Sequence, residues 1–142
     1  MSNCIFCAIV AGRAPASVVL DEPDVIAFMD IRPFTPGHLL VIPKRHASGL
    51  AELPPEDGAK VFAAGQRIAA ALRASDLPID GVNMFLADGV AAGQEVFHVH
   101  LHLVPRRAGD GFGIVARAQS PNRTVLDGTA SALRAAVEAY RS

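Results

Sequence analysis

No apolar run in this chain reaches the roughly 18 residues that a membrane span needs, and no basic segment precedes an apolar one at the N-terminus. The sequence therefore predicts neither a membrane span nor a secretory signal. A charge bias is also absent, because the formal net charge is −1. This balance excludes the basic footprint of proteins that bind long nucleic acid or an anionic membrane. We expect a cytoplasmic protein with a small ligand.

The chain also lacks low-complexity tracts, repeats of fixed period and any segment with the composition of a linker between domains. Its 142 residues are 51% hydrophobic and 19% charged, which provides enough apolar material for one core. The sequence therefore predicts a single domain over residues 1–142. Its motif-bearing core covers residues 4–109, and residues 110–142 add a C-terminal loop and a helix.

Hydrophobic periodicity divides the chain into short strands and two main helices. The first main helix begins at Pro54 and Pro55, where acidic residues follow in the first turn. The pattern predicts an α+β domain with a largely antiparallel five-stranded sheet. The apolar stripe of the first main helix consists of Val61, Phe62, Ile68, Ala69 and Leu72. The other predicted elements are a short helix at 4–10, strands at 17–21, 25–30, 38–43, 81–87 and 96–104, and a helix at 129–140.

Histidines are concentrated in one predicted strand, where His98, His100 and His102 alternate with apolar residues. Alternation in a strand would place the three imidazoles on one face. The opposite face, which would pack in a core, would carry Phe97, Val99, Leu101 and Leu103. The alternative is an incidentally polar strand face, but a histidine row offers packing nothing that Thr or Val would not.

Two kinds of chemistry use imidazoles at this spacing. A pair such as His98 and His100 can converge on one metal ion, as in a metalloenzyme. Alternatively, a neutral imidazole can attack phosphorus while flanking imidazoles donate hydrogen bonds to phosphate oxygens. The small, glycine-containing segment 88–95 could bring backbone N–H groups close to an anion, which suits a phosphate. Spacing alone does not decide between the two.

Residues 92–106, in which Gly-Gln leads into His-x-His-x-His, closely resemble the motif of the histidine triad (HIT) family. Segment 30–46, which contains Pro36-Gly37-His38, resembles the same family. The resemblance implies the HIT fold and a purine nucleotide or nucleotide conjugate as ligand. It also implies a homodimer that the helix beginning near residue 54 helps to form.

In this family the activity would be that of a nucleotidyl hydrolase or transferase. His100 would attack the α-phosphorus of a nucleoside 5′-phosphate derivative and form a nucleotidyl-histidine intermediate that water then cleaves. His102 and the backbone of residues 93–96 would hold phosphate oxygens, and Gln94 would contact the bridging or attacking group. The catalytic histidines implied by the resemblance are His38, His98, His100 and His102. No metal would be required for the chemistry.

The resemblance also assigns the remaining substrate contacts. Asp30 would bind the ribose hydroxyls, where a carboxylate can accept two charge-assisted hydrogen bonds. Further contacts would come from Gly93, Gln94 and Val96 in the small loop. An apolar slot for a flat purine would consist of Ile5, Phe6, Ile9, Phe28, Met29 and Ile31. Each of these apolar residues could equally belong to the core.

Cys4 and Cys7 form a Cys-x-x-Cys pair that, in a reducing compartment, indicates a metal half-site or a redox motif rather than a structural disulfide. The family resemblance implies that His46 and His98 complete a Cys2His2 zinc site. Four protein ligands would leave no open position, so this zinc would be structural. The alternative is a pair of buried, inert thiols with His46 on the surface.

Two positions depart from the family pattern. Ala87 stands where many members have Asn or Gln, so one contact to ribose or phosphate is missing. Glu95 stands where the best-known phosphoramidases have Ser, and its carboxylate would repel a phosphate unless it turns away. Segment 105–110 resembles the dinucleoside polyphosphate hydrolase (Fhit-like) branch, whereas the Cys-x-x-Cys opening and the loop at Asp30 resemble the bacterial Hint-like branch. The resemblance therefore implies either a purine nucleoside phosphoramidase or a dinucleoside polyphosphate hydrolase. A nucleotide-sensing or scaffold module with incidental turnover is the alternative function.

Overall fold

The computed structural model describes residues 3–140, which contain three α-helices and five strands. The helices are α1 (Ile5–Val10), α2 (Pro55–Ala74) and α3 (Arg123–Ala139). The strands are β1 (Val18–Asp21), β2 (Val25–Met29), β3 (Leu39–Pro43), β4 (Gly81–Phe85) and β5 (Leu101–Arg106). Among these described residues, none of the helices combines the length and apolar character that crossing a membrane requires.

The strands form one antiparallel sheet in the order β1-β2-β3-β5-β4. The predicted α+β fold with a five-stranded antiparallel sheet is therefore confirmed. This order places β5, which carries the last triad histidine, between β3 and β4. His102 consequently pairs with Leu40 of β3 on one side and with Phe85 of β4 on the other.

The two faces of the sheet pack against different helices because successive strand residues point to opposite sides. On the face that we call the helix face, residues such as Val41 and Leu103 pack with Ile68 of α2. On the opposite face, which we call the site face, Phe28 and other apolar residues pack with Phe6 of α1. The buried residues of the helix face are Val25, Ala27, Leu39, Val41, Leu101 and Leu103, and those of the site face are Ile26, Phe28, Leu40 and Ile42.

The histidine triad is not the continuous strand that its alternation predicts. Strand β5 begins only at Leu101, so His102 is the one triad histidine that lies on a strand. Upstream, the Val99 N–H donates to the Ala47 carbonyl at 2.8 Å and does not join the ladder. Phe97, which the alternation placed in the core, is 46% exposed. A bend before β5 breaks the alternation and gives each imidazole a different environment.

The chain separates into two compact units, of which the first ends at Phe112 and the second begins at Gly113. This division lies close to the end of the motif-bearing core that the sequence indicated at residue 109. The second unit contains α3, which begins at Arg123 and not at the predicted residue 129. The Asn122 side chain caps this helix by accepting a hydrogen bond from the Val125 N–H at 2.9 Å.

The close packing of α2 on the sheet can be tested at Gly65, where an added Cβ would lie 2.8 Å from Met84 Cε and 3.0 Å from Leu101 Cδ2. We expect Gly65→Val to destabilise the protein by about 1–3 kcal/mol through overpacking. Gly58→Ala is the matched control, because its Cβ would meet only Leu53 Cδ2, at 3.6 Å. Alanine favours the helix, so this variant should gain about 0.5–1 kcal/mol. Equal urea midpoints for both variants would contradict the packing argument.

Candidate active site

Four histidines meet beside β3 and β5. His38 lies immediately before β3, and its ring centroid is 5.2 Å from that of His102. The rings of His100 and His102 are 5.0 Å apart. His38 and His98 are fully buried, and His100 is 7% exposed. The sheet order therefore brings together imidazoles that lie far apart in the sequence.

Backbone carbonyls determine the tautomers of His98 and His100. The Pro43 carbonyl accepts a hydrogen bond from His98 Nε2 at 2.8 Å, so the His98 lone pair lies on Nδ1. The His98 carbonyl in turn accepts from His100 Nδ1 at 2.7 Å. A carbonyl cannot donate, so neutral His100 must carry its proton on Nδ1. The Nε2 atom of His100 is therefore left with a free lone pair, which is the form that a nucleophile requires.

A backbone amide determines the tautomers of the other two histidines. The Phe34 N–H donates to His38 Nδ1 at 3.0 Å, so His38 carries its proton on Nε2. That Nε2 lies 3.0 Å from His102 Nδ1, which must accept. Neutral His102 therefore carries its own proton on Nε2. The site thus contains one imidazole with an accepting Nε2, His100, beside one with a donating Nε2, His102.

Burial lowers the pKa values of His38, His98 and His102 and so favours their neutral forms. Desolvation, followed by the nearby His100 and His38, lowers the pKa of His102 from 6.5 to about 4. Desolvation also lowers the pKa of His38, although Asp30 opposes the effect. Near neutral pH the hydrogen-bond directions given above for His38, His98 and His102 are therefore the ones that operate.

Asp30 lies next to this network and accepts a hydrogen bond from the Arg32 N–H at 2.8 Å. Its second oxygen is 3.5 Å from His38 Nε2, and the ligand atoms of Asp30, His38 and His102 lie within 4.8 Å of one another. A metal ion there would need the lone pair of His38 Nε2. The Phe34 N–H already occupies the single lone pair of that neutral imidazole, so the donor set favours a hydrogen-bonded network.

A second cluster joins α1 to the histidines. The donor atoms of Cys4, Cys7, His46 and His98 lie within 4.8 Å of one another, and these residues could hold a metal ion. The Nδ1 atoms of His46 and His98 are 3.2 Å apart. The Sγ atoms lie 3.2 to 3.6 Å from these nitrogens. In tetrahedral zinc sites the bond lengths imply about 3.3 Å between two nitrogens and about 3.5 Å between nitrogen and sulfur, so the dimensions fit.

The surroundings of this cluster also suit a metal. His98 donates its remaining ring N–H to the Pro43 carbonyl, which is the usual outer-shell arrangement for a ligating imidazole. The Cys7 N–H donates to Cys4 Sγ at 3.3 Å and would stabilise a thiolate there. Because His98 Nδ1 faces the cysteines and His100 Nδ1 donates to a carbonyl, the two histidines do not converge on a shared ion. This geometry removes the support for a metalloenzyme based on that pair.

The residues predicted to form the purine pocket do not all lie together in the structure. Phe6 is buried against Phe28, and its ring lies edge-on to His100 at 5.1 Å. Ile9 packs on the same cluster, whereas Ile5 is 50% exposed and Ile31 is 93% exposed. The structure does not bring Met29 to this group. Met29 follows Ala27 on the helix face and packs with the core there.

The small loop after β4 is held by Gln94, whose side chain is buried. Its amide nitrogen donates to the Ser48 carbonyl at 2.7 Å and to the Val96 carbonyl at 3.1 Å. Its oxygen accepts from the Gly89 N–H at 2.8 Å. In the described structure each of these amide contacts is with backbone, and the contact with the reacting group that the family resemblance implies for Gln94 stays a prediction. Gly93 allows the turn, because its φ of +92° disfavours other residues.

Glu95 and Val96, at the end of this loop, have different surroundings. Val96 is partly buried against the Phe6 cluster, which places the end of the loop beside α1. Glu95 is exposed, so its carboxylate is free to point into solvent.

Sequence comparison identifies the family. A sequence model of the HIT domain matches residues 11–109, which is more than half of the chain. The chain belongs to the HIT family. The HIT fold predicted from the histidine motif is therefore confirmed.

Solved HIT structures are similar over most of the chain. A Zn-bound histidine triad family protein from Mycobacterium smegmatis is 46% identical, with a TM-score of 0.75 over 95% of this chain and 98% of that one. A histidine triad nucleotide-binding protein from Candida albicans is 26% identical, with a TM-score of 0.87 over 98% and 100%. A HIT family hydrolase from Legionella pneumophila is 37% identical, with a TM-score of 0.64 over 74% and 94%.

Three aromatic residues of this HIT site were not among the residues predicted from sequence. The Phe85 ring stacks on His102 with centroids 4.2 Å apart, and the Phe34 ring lies 4.7 Å from His38. The third, Phe112, stacks on Phe34. The cross-strand register that pairs Phe85 with His102 could have been inferred only with the strand order known. The loop positions of Phe34 and Phe112 gave no signal.

The lowered pKa of His102 predicts how stability depends on pH. An unfolded His102 binds its proton near pH 6.5, whereas the folded one does so only near pH 4. As pH falls between these values the unfolded state gains protons first, so the free energy of unfolding decreases. We expect His102→Gln to reduce this decrease. Urea unfolding of the wild-type and His102→Gln proteins at pH 7 and pH 4.5 measures the decrease in the free energy of unfolding. Equal decreases in the two proteins would show that His102 does not contribute.

Proposed function

We propose that this protein is a nucleotidyl hydrolase or transferase that acts at the α-phosphate of a nucleoside 5′-phosphate derivative. The observation that carries the proposal is the hydrogen bond from His100 Nδ1 to the His98 carbonyl. It leaves the Nε2 lone pair of a neutral imidazole available for attack on phosphorus. The similarity to a HIT family hydrolase agrees with an enzymatic role.

The reaction would proceed in two displacements. His100 Nε2 forms a bond to the α-phosphorus while the bond from phosphorus to the leaving group breaks, and the leaving group departs with the electron pair. Water or another acceptor then attacks the same phosphorus, and the bond from phosphorus to Nε2 breaks with its electron pair returning to His100. The acceptor's proton passes to the departed leaving group or to solvent, which restores the neutral imidazole. Both steps exchange one bond to phosphorus for another, so they require no redox partner.

His102 is suited to stabilise the charge that develops during these steps. Its Nε2–H is fixed by the acceptor role of its Nδ1 toward His38, and it can donate to a phosphate or leaving-group oxygen. His38 and Asp30 maintain that orientation, because the carboxylate lies 3.5 Å from His38 Nε2. His98 would contribute through its carbonyl, which orients the nucleophile. The small loop from Gly93 to Val96 would supply backbone donors.

A nucleoside fits the apolar and acidic groups around His100. Phe6 and Phe28 form an aromatic wall beside the nucleophile and could hold a purine, with Ile9 at its edge. Asp30 would accept from the ribose hydroxyls with the oxygen that faces His38. The fold of the nucleotide-binding relative from Candida albicans supports this ligand class. We include neither Met29 nor Ile31 in the pocket.

Zinc at Cys4, Cys7, His46 and His98 is proposed as a structural ion. The dimensions of the cluster support it, and so does the similarity to the Zn-bound relative from Mycobacterium smegmatis. When bound, zinc would supply no chemistry to the substrate, because four protein ligands leave no open position. Its effect would be to fix α1 against the residues that follow β3 and those that precede β5. A homodimer, implied by the family resemblance, stays a proposal.

The competing function is a nucleotide-binding module without physiological turnover. Removing the His100 imidazole distinguishes the proposed enzyme from the binding module. We expect His100→Ala to lower kcat by at least about a thousandfold, because no other group replaces the attacking lone pair. Nucleotide affinity, measured by calorimetry with AMP, should change far less, since base and ribose contacts lie elsewhere.

The wild-type protein provides the positive test. Acid-quenched reactions with an adenosine 5′-phosphate conjugate should contain a nucleotidyl adduct on His100, detectable by mass spectrometry, and His100→Ala should contain none. Full activity in His100→Ala would overturn the mechanism and favour the binding module.

Loss of the proposed zinc can be tested without altering His98, whose carbonyl orients His100. We expect about one zinc per chain by elemental analysis, and a large loss of it in Cys7→Ser and His46→Ala. Both variants should melt at a lower temperature, since structural zinc binding is coupled to folding. Activity per folded molecule should fall far less than in His100→Ala. If chelation abolished activity in protein that stayed folded, and zinc restored it, the metal would be catalytic instead.

A further inference from the structure

Thr35 is a buried polar residue, with only 5% of its surface exposed, although it lies in the loop between β2 and β3. Its hydroxyl donates to the Pro105 carbonyl of β5 at 2.7 Å, and this bond is itself buried. A buried hydroxyl is costly without a partner, so this bond stabilises the attachment of the loop to the sheet. The mechanism proposed above assigns no role to it.

The geometry of β5 explains why the Pro105 carbonyl needs this donor. The next carbonyl, that of Arg106, accepts the Asp80 N–H at 2.7 Å and so points toward the start of β4. Carbonyls of successive strand residues point to opposite edges, so the Pro105 carbonyl points toward β3. The pairing of β5 with β3 stops at Leu103, however. The Thr35 hydroxyl supplies the missing donor, and proline has no N–H that would need an acceptor there.

Thr35 also begins the turn that leads into His38. Its carbonyl accepts the His38 N–H at 3.1 Å, and Pro36 and Gly37 lie between the two residues. Proline followed by glycine with a φ of +92° is typical of a type II turn. A Cβ added to Gly37 would lie 3.1 Å from Pro105 Cγ, so the turn packs closely on β5. The side chain and the carbonyl of Thr35 therefore join this turn to that strand.

The backbone next to Thr35 carries the amide that decides the tautomer of His38. The Phe34 N–H donates to His38 Nδ1 at 3.0 Å, and His38 Nε2 lies 3.0 Å from His102 Nδ1. His102 belongs to β5, the same strand to which the Thr35 hydroxyl binds through Pro105. Both ends of this hydrogen-bonded chain are thus held by one strand.

Asp30 is the other group that favours a proton on His38 Nε2. One of its oxygens is 3.5 Å from that nitrogen, at the outer limit of hydrogen bonding, and the other accepts the Arg32 N–H. Without an amide at Nδ1, His38 could carry its proton on either nitrogen. A proton on Nδ1 would reverse the bond to His102 and convert the Nε2 of His102 from a donor into an acceptor.

We propose that Thr35 is a positioning residue, whose hydroxyl bond to β5 holds the Phe34 amide on His38 and so keeps a donor on His102. This inference rests on the proposed function, in which the His102 Nε2–H stabilises the charge that develops on the phosphate. Thr35 does not touch the substrate and acts only through His38 and His102. The turnover rate therefore depends on the Thr35 hydroxyl, whereas the affinity for the nucleotide does not.

The test removes the hydroxyl with little change in side-chain size. We expect Thr35→Val to lower kcat by about tenfold to a hundredfold, because small displacements of catalytic groups have effects of that order. The affinity for AMP, measured by calorimetry, should change little. Thr35→Ser keeps the hydroxyl and should restore kcat. Turnover is measured with adenosine 5′-phosphoramidate and diadenosine tetraphosphate, which represent both branches of the family.

Thr129→Val is the matched control, because it makes the same substitution at a hydroxyl that also donates to a backbone carbonyl. That bond, to the Val125 carbonyl at 3.1 Å, lies within α3. This variant should keep the kcat of the wild type.

A spectroscopic measurement distinguishes positioning from a general loss of stability. Long-range proton–nitrogen NMR spectra of protein with isotope-labelled histidine, recorded without substrate, identify the ring nitrogen that carries each proton. We expect His38 and His102 to be protonated on Nε2 in the wild type and in Thr35→Ser. In Thr35→Val a fraction of both should be protonated on Nδ1. If Thr35→Val does not fold, Gly37→Ala opens the same turn by another route and should have the same effects.

The outcomes separate this inference from the proposed function. Unchanged tautomers or an unchanged kcat in folded Thr35→Val would overturn the role of Thr35 and leave the proposed function intact. Failure of the wild type to cleave either substrate would overturn the proposed function and this inference with it.

Discussion

A neutral imidazole has one donor and one acceptor, and the site depends on backbone groups that decide which ring nitrogen takes each role. The Pro43 carbonyl directs the His98 lone pair toward the cysteines. The His98 carbonyl then frees the lone pair of His100. On the other side, the Phe34 N–H begins a chain through His38 that leaves a donor on His102. Backbone partners cannot rotate away, so the three histidines of the triad differ in their hydrogen-bond roles although they are identical in chemistry.

The bend before β5 is what makes this division possible. In a regular strand the three imidazoles would share one face and have equivalent surroundings. Here the Val99 N–H bonds to Ala47, and the chain joins the sheet only at Leu101. His98 consequently turns toward α1, whereas His102 remains in the ladder next to Phe85. Departure from the regular alternation therefore gives a repeated residue type three different surroundings, which suit the proposed metal ligand, nucleophile and donor.

The parts of the structure that depend on local periodicity were predictable, and those that depend on distant backbone partners were not. Period-two apolar alternation predicts the sheet, and the same rule already separates Met29 from Phe28, since adjacent strand residues face opposite sides. The Asn cap at residue 122 could likewise have marked the start of α3, which the prediction placed at residue 129. In contrast, the role of Gln94 depends on Ser48, a partner that no local pattern identifies. The bend that exposes Phe97 also depends on a distant partner, because the nearby Val99 N–H donates to the Ala47 carbonyl.

The proposed zinc cluster and the proposed nucleophile both depend on His98, yet they would be linked mainly through α1. The His98 carbonyl that orients His100 belongs to backbone held by the neighbouring Val99 bond, and the His98 ring is additionally held by Pro43. A metal ion would add little to that orientation. It would add a connection between α1, through Cys4 and Cys7, and the rest of the site. Because α1 also carries Phe6, whose ring lies against His100, fixing this short helix would determine the wall of the proposed pocket rather than the reactivity of the proposed nucleophile.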